Sequence, residues 1–146
     1  MKTLLLPLIA AAAFAFGPTV TYAASHTTPS QATLKAPPAA PYKAVSSLVK
    51  LPDFIPGMGQ LYVDPASLPA GPFLAYDHSG KLVSTIYMIP LAEMKPDMNL
   101  NDLKAPGGVV DHTDIVYNAG HPGVAEPHIH IVLWHVSAKD EARVAK

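Results

Sequence analysis

The sequence predicts an all-β or mostly β fold, a small antiparallel sandwich or barrel of about six to eight strands with a short C-terminal helix. Two observations favour strands. Short runs of β-branched and aromatic residues alternate with turn residues, and ten prolines from Pro52 to Pro127 interrupt the chain too often for long helices. The third observation is the capping-box character of Ser137-Ala138-Lys139-Asp140, which predicts the terminal helix.

Residues 1–23 have the pattern of a cleavable secretory signal peptide. Lys2 gives a positive start, and the apolar run from Leu4 to Phe16 is shorter than the roughly 20 residues that a membrane-spanning helix needs. Thr21-Tyr22-Ala23 offers small residues where signal peptidase acts, which predicts cleavage after Ala23. We therefore expect an exported protein, periplasmic or secreted, that has no membrane contact after cleavage. An uncleaved membrane anchor is the alternative.

The mature chain divides into two parts by composition. Residues 24–44 are rich in Pro, Ser, Thr and Ala and predict a flexible leader, whereas residues 45–146 predict a single β-rich domain. The chain contains no cysteine, so the fold must be stable without disulfides. Loss of Lys2 leaves nine basic residues against eleven acidic ones and no basic stripe, which argues against nucleic acid and anionic membranes as partners.

Strands are expected in the domain at residues 59–63, 73–76, 82–89, 109–117 and 128–136, of which the last two are the clearest. Asp77-His78-Ser79-Gly80 predicts a hairpin turn in which Gly80 takes a positive φ. Residues 69–72 and 105–108 predict loops, and residues 91–103 are long enough for one or two helical turns.

Side-chain alternation separates the two faces of the final predicted strand. Aliphatic residues occupy one face, and the other face begins with His128 and His130. The preceding strand shows the same separation, with apolar residues opposite a face that carries His112 and Asp114. Antiparallel pairing that puts the apolar sets together therefore puts these four polar side chains together on the other face.

One register satisfies this arrangement. It pairs Asn118 with His128 and leaves residues 119–127 as a loop that holds His121 close to His128. The candidate metal ligands are then His112, His121, His128 and His130, with Asp114, Glu126 and Gln60 as further candidates nearby. Because neutral imidazole binds zinc, copper, iron and nickel, a divalent transition metal is the expected cofactor. A small-molecule ligand and a purely structural histidine cluster are the alternatives.

Methionines bear on the identity of the metal. Three of them cluster in one segment and a fourth lies beside the first strand: Met88, Met94, Met98 and Met58. Thioether and imidazole ligands in an oxidising compartment favour copper. The competing interpretation is that these side chains fill gaps in the core, as methionine often does.

The sequence resembles a family of exported bacterial β-domain proteins of unknown function. The resemblance rests on the segment from Val110 to Gly123 and on Glu126-Pro127-His128-Ile129-His130, which are similar to the family's Asn-x-x-Gly-His-x-Pro and Pro-His-x-Asp-x-His motifs. Residues 56–65 and 73–90 also resemble family segments, so the likeness covers most of residues 52–136.

The chain departs from the family pattern at three positions. His121 and His128 match it, but Gln60 and Val132 stand where the family has histidine, and His130 stands where it has aspartate. If the family site binds a metal, the resemblance implies that this chain has lost two ligands and gained one. The His-x-His pair on a strand also resembles the metal-binding pattern of cupins.

Three functions are compatible with these patterns. The leading hypothesis is an exported metal- or small-ligand-binding protein, and the second is a cupin-like metal-dependent enzyme, which needs an open coordination position beside an acid or base such as Asp114 or Glu126. The third is a structural or partner-binding module. Histidine-triad nucleotide hydrolases fit less well, because Val132 replaces the third histidine. A cysteine or serine hydrolase is disfavoured, since the chain lacks cysteine and a Gly-x-Ser-x-Gly motif.

Overall fold

The computed structural model describes residues 30–146, and most of their regular structure is β. The strands are, in chain order, β1 Lys43–Ala44, β2 Gln60–Val63, β3 Phe73–Tyr76, β4 Leu82–Pro90, β5 His112–Asn118 and β6 His128–Trp134. All six are antiparallel to their neighbours in one sheet of order β1-β2-β3-β4-β6-β5. The predicted mostly β class is therefore confirmed, and the described strands form a single sheet.

The β3–β4 hairpin forms where the sequence predicts it. The Asp77 N–H donates to the Lys81 carbonyl at 3.0 Å, and Gly80 lies in the turn with a φ of 74°, a region that favours glycine. All nine residues of β4 are buried, because β3 and β6 flank this strand and other parts of the chain cover both faces. The connection at residues 91–111 then leads to the edge strand β5.

Four 3-10 helices join or follow the strands: Val45–Ser47, Pro65–Ser67, Leu91–Glu93 and Ala138–Val144. The last is the predicted C-terminal helix, and at its start the Ser137 hydroxyl donates to the Asp140 carboxylate at 2.8 Å. Where one or two helical turns are expected after β4, a single turn forms. Within residues 30–146, every helix is too short or too polar to cross a membrane.

The main core lies on one face of the sheet, which we call the inner face. Apolar side chains of β3, β4 and β6 pack there against the segment at residues 45–58 and against Val144 of the C-terminal helix. Burial of this apolar area, at about 25 cal/mol per Å², holds the segment and the helix on the sheet. Loops and helices thus supply the covering layer that a second sheet supplies in a sandwich.

The opposite, outer face is covered in part by residues predicted to be a flexible leader. Leu34 and Tyr42 pack on an outer cluster made by Leu74, Tyr76 and Leu82. The Leu82 N–H also donates to the Leu34 carbonyl at 3.1 Å. The packed structure therefore extends before residue 45, because main-chain hydrogen bonds and two apolar anchors hold a proline-rich segment in place. The predicted signal peptide, residues 1–23, and residues 24–29 lie outside the described part of the chain.

Candidate metal centre

The β5–β6 pair has the register that the sequence predicts. Asn118 lies across from His128, and Ile115 lies across from Ile131. The two faces of this pair differ in burial, since Ile115 on the outer face is 71 % exposed whereas His128 on the inner face is fully buried. The histidines therefore lie on the covered side of the hairpin, although alternation by itself does not show which side is covered.

His128 and His130 occupy the interior of the sheet, because β6 lies between β4 and β5. Both side chains are buried, and their Nε2 atoms lie 3.0 Å apart. Two ring nitrogens at this distance need a proton or a cation between them, because two facing lone pairs would repel each other. In the metal-free protein a hydrogen on His130 Nε2 can donate to His128 Nε2, and a metal ion could replace that hydrogen.

His121 reaches the pair from the β5–β6 loop. Its ring centroid lies 4.8 Å from that of His128 and 5.8 Å from that of His130. A tight turn fixes its backbone, since the His121 N–H donates to the Val124 carbonyl at 2.8 Å and the Val124 N–H donates back at 2.9 Å. The expected proximity of His121 and His128 is thus observed.

Gly120 sets the course of the loop just before His121. Its φ is +123°, and a Cβ at this position would lie 2.4 Å from the carbonyl oxygen of Ala125. The Gly120 N–H also donates to the Asn118 side-chain oxygen at 2.9 Å, which ties the loop to the end of β5. Only glycine fits where the backbone passes this close to Ala125, so the position of His121 depends on Gly120.

Backbone carbonyls fix the tautomers of two of the three rings. His121 Nδ1 lies 3.0 Å from the Pro122 carbonyl oxygen, and His128 Nδ1 lies 2.7 Å from the Glu126 carbonyl oxygen. A carbonyl only accepts, so Nδ1 carries the hydrogen in both neutral rings and Nε2 keeps its lone pair. These contacts are of the kind that orient histidine ligands in metal sites.

The three rings together have the composition of a metal site. One nitrogen from each of His121, His128 and His130 lies within 4.8 Å of the other two. Nitrogens bound at about 2.0–2.1 Å to one tetrahedral ion lie about 3.4 Å apart. A shift of roughly 1.4 Å or less would therefore bring the three ring nitrogens to the spacing of metal ligands. Burial, together with the neighbouring rings of His128 and His121, lowers the pKa of His130 to about 4. His130 is therefore in the neutral form that binds metals at pH 7.

His112 lies apart from this group, although it is on the same face. It pairs with Trp134, four residues beyond His130 on β6, which is about 13 Å away at 3.3 Å per residue. Its Nδ1 lies 2.8 Å from an Asp111 oxygen and its Nε2 lies 3.0 Å from a Glu141 oxygen. The hydrogen bond to Asp111, together with that to Glu141, raises the pKa of His112. The expected set of four histidines is thus divided, because a shared face does not fix position along a strand.

The three further candidates also lie away from the histidine group. Gln60 lies on β2, where it pairs with Tyr76 of β3, and it is on the opposite face from the core residue Leu61. Asp114 accepts a hydrogen bond from Trp134 Nε1 at 2.8 Å and lies with His112. The Glu126 side chain is exposed, and only its carbonyl contacts His128. Within residues 30–146, no carboxylate joins the group of three histidines.

His135 is a further, half-buried histidine, and the sequence patterns do not single it out. Its Nδ1–H donates to the Val109 carbonyl at 2.8 Å, and its Nε2 accepts from the Thr85 hydroxyl at 2.8 Å. Burial lowers its pKa. Both ring nitrogens are occupied, so His135 connects β4 to the start of the β5 segment and is not a ligand candidate.

An apolar cavity of about 420 Å³ adjoins the histidine group on the inner face. His121 and His130 line its wall together with apolar residues from the segment at residues 45–58 and from the sheet. Of the methionines considered as copper ligands, Met58 and Met88 line this cavity, whereas Met94 is exposed. The sequence carries no signal for the cavity, because its walls are distant in the chain and meet only in the fold.

Comparison with known proteins identifies a family and a similar solved structure. The family model described as TTHB210-like, hypothetical protein TTHB210, matches residues 77–117. The chain is also similar to the crystal structure of the hypothetical protein TTHB210 from Thermus thermophilus, with 44 % sequence identity and a TM-score of 0.55. That similarity covers 69 % of this chain and 94 % of the other. None of the curated proteins matches the chain.

Proposed function

We propose that this chain, which belongs to the TTHB210-like family, is an exported protein that binds a divalent transition metal through His121, His128 and His130. The observation that carries the proposal is the orientation of two rings. The Nδ1–H of His121 and that of His128 each donate to a backbone carbonyl, so Nε2 keeps its lone pair in both rings. One nitrogen of each ring lies within 4.8 Å of a His130 nitrogen. Such outer contacts are typical of histidines that bind metals.

The ligand set limits the choice of metal. Three neutral imidazoles suit zinc, copper, iron and nickel. Met88 pairs with His130 in the β4–β6 register and lines the same cavity, which would favour copper if the thioether turns toward the ion. A three-histidine set leaves one tetrahedral position for water or another ligand.

Binding is favoured over catalysis by the position of the acidic side chains. A metal-dependent enzyme of the cupin-like type needs an acid or base near the open position. Asp114 is hydrogen-bonded to Trp134, and the Glu126 side chain is exposed. Export is supported by the sequence pattern of residues 1–23.

Elemental analysis of the protein purified from its own compartment tests the proposal. We expect about one transition metal ion per chain. His121→Ala should lower the affinity for zinc at least about 100-fold, because it removes a direct ligand. His121 is the best choice for this variant, since it lies on a loop and is only partly buried.

His112→Ala is the matched control. His112 is also a partly buried histidine of the same hairpin, but its ring contacts Asp111 and Glu141. We expect this variant to keep the affinity of the three-histidine group for zinc, because His112 lies in a separate group with Asp114 and Glu141. Equal losses in the two variants, or a protein that takes up no metal at all, would favour a structural role for the histidines.

A further inference from the structure

The inner face encloses a space that the core does not fill. The cavity has a volume of about 420 Å³, which is within the range of about 300–1,000 Å³ found for small-molecule sites. Its walls come from the segment at residues 45–58, from the inner face of the sheet and from the β5–β6 loop. Leu48 and Leu68 line it and are 37 % and 45 % exposed, so they mark its opening to solvent.

The cavity has one polar end. Among residues 30–146, the lining is apolar apart from His121 and His130 and includes no lysine or arginine. A sugar or a nucleotide would leave many hydrogen-bonding groups without partners in such a space, at a cost of about 1–3 kcal/mol for each group. The lining therefore matches a ligand that is apolar along its length and polar at one end.

A metal at the three histidines would lie at that polar end. Since three protein ligands leave one coordination position open, a ligand in the cavity can supply the fourth donor. The three rings are neutral ligands, so the ion keeps its double positive charge and favours an anionic oxygen donor. Since the described lining residues include no lysine or arginine, the metal is the group that would hold an anionic head in place.

We propose that this cavity binds an amphipathic small molecule with an alkyl or similarly apolar body and a carboxylate head, and that the head completes the coordination of the metal. The proposal rests on the proposed metal site. It assigns the protein a ligand class, that of medium-chain fatty acids and molecules of the same chemistry. Binding of the head and binding of the body then have separate requirements, which can be tested separately.

Decanoate is a suitable probe, with acetate as a probe that has the head without the body. The mature chain is first loaded with zinc, its zinc content is measured, and each probe is then titrated by calorimetry. We expect zinc-loaded protein to bind decanoate at least about tenfold more tightly than acetate, because the chain buries several methylene groups in the cavity. Removal of zinc with a chelator should weaken decanoate binding about tenfold or more, because the head loses its ligand.

Leu68→Trp and Leu48→Trp test the cavity itself. Each places a larger side chain at the opening and should weaken decanoate binding about tenfold while the zinc content stays the same. Because both positions are partly exposed, at least one variant should fold, which circular dichroism can verify. Val109→Trp is the matched control, since Val109 is 81 % exposed and does not line the cavity.

The results separate the two proposals. Protein that takes up no zinc overturns the metal site and, with it, the ligand proposal. Zinc-loaded protein that binds decanoate no better than acetate, or that binds it equally well in both tryptophan variants, overturns the ligand proposal alone. Equal binding of decanoate with and without zinc also overturns it, because the head would then not meet the metal.

Discussion

The Nε2 atoms of His128 and His130 lie 3.0 Å apart on the inner face of the interior strand β6, where neither residue is more than 7 % exposed. Burying two imidazoles stabilises a core less than burying apolar side chains of similar size, because apolar side chains need no hydrogen-bond partners. The Nδ1 contact of His128 with the Glu126 carbonyl leaves its Nε2 as an acceptor. Burial lowers the pKa of His130 to about 4, so this ring is neutral at pH 7, the form in which imidazole binds metals.

The stability of the metal-free protein should fall as the pH falls from about 6.5 to about 4. Burial lowers the pKa of His130 to about 4, whereas the unfolded chain binds the same proton near pH 6.5. Between these values the unfolded state binds more protons, so the free energy of unfolding decreases with falling pH, by about 3 kcal/mol in all. Urea denaturation of the chelator-treated protein across this pH range measures the effect.

His130→Gln is the control for this pH dependence. Glutamine keeps a polar side chain at the site but does not titrate, so the variant should lose most of the decrease in stability between pH 6.5 and pH 4. An unchanged pH profile in this variant would assign the effect to another group, such as His135, whose pKa burial also lowers.

Gly120→Ala should weaken zinc binding without removing any ligand. Its Cβ would lie 2.4 Å from the Ala125 carbonyl oxygen, so the loop that carries His121 must shift. We expect a loss of about 1–3 kcal/mol in stability and about tenfold in zinc affinity. Thermal unfolding and zinc titration provide the two measurements.

Gly57→Ala separates backbone strain from displacement of the site. Gly57 also has a positive φ, +83°, but a Cβ there would have open space around it. This variant should lose stability through strain alone and keep its zinc affinity. A similar loss of zinc affinity in both variants would show that His121 does not depend on the local course of its loop.

Arg143→Gln should destabilise the fold by releasing the C-terminal helix from the β3–β4 turn. Asp77 is buried, and its carboxylate accepts hydrogen bonds from the Arg143 guanidinium as well as from Ser79 and the Lys81 N–H. Burial raises the pKa of Asp77, but these hydrogen bonds outweigh it and bring the pKa to about 2. We expect a loss of about 2 kcal/mol, since a hydrogen bond to a charged group contributes about 1.5–3 kcal/mol.

The contribution of Asp77 to stability changes at a lower pH than that of His130. A folded pKa of about 2 lies below the ordinary value of 3.8, so the carboxylate stabilises the fold above pH 3.8 and loses this effect as the pH falls toward 2.

Lys139→Gln is the control for the Arg143 substitution. Lys139 lies on the exposed side of the same helix, so this variant should leave the unfolding midpoint at pH 7 unchanged. Equal effects of the Arg143 and Lys139 substitutions would contradict a specific role for the Asp77 contact.

The mature protein should begin at Ala24 or within a residue or two of it. The apolar run and the small residues before Ala24 form the pattern that signal peptidase cleaves. Mass spectrometry of the periplasmic or secreted form determines the N-terminus directly. An intact Met1 in that fraction would contradict cleavage.

Local patterns were sufficient for strands β2 to β6 and for the register of the last hairpin, whereas β1 forms in residues predicted to be a leader. Proline and glycine positions mark the turns, and Gly80 takes the positive φ expected of it. Alternation places His128 and His130 on one face, and matching the apolar sets gives the observed pairing of Asn118 with His128. These features depend on neighbours in the chain or on one pair of strands, so the sequence by itself determines them.

Only the tertiary structure decides which face is buried and which histidines meet. The insertion of β6 between β4 and β5, together with the packing of residues 45–58, covers the histidine face and encloses the cavity. The same fold leaves His112 beside Glu141, about 13 Å along the strand from His130. Burial and distance depend on segments that are remote in sequence, and their contacts are made by packing, which the periodicity of a single strand does not encode.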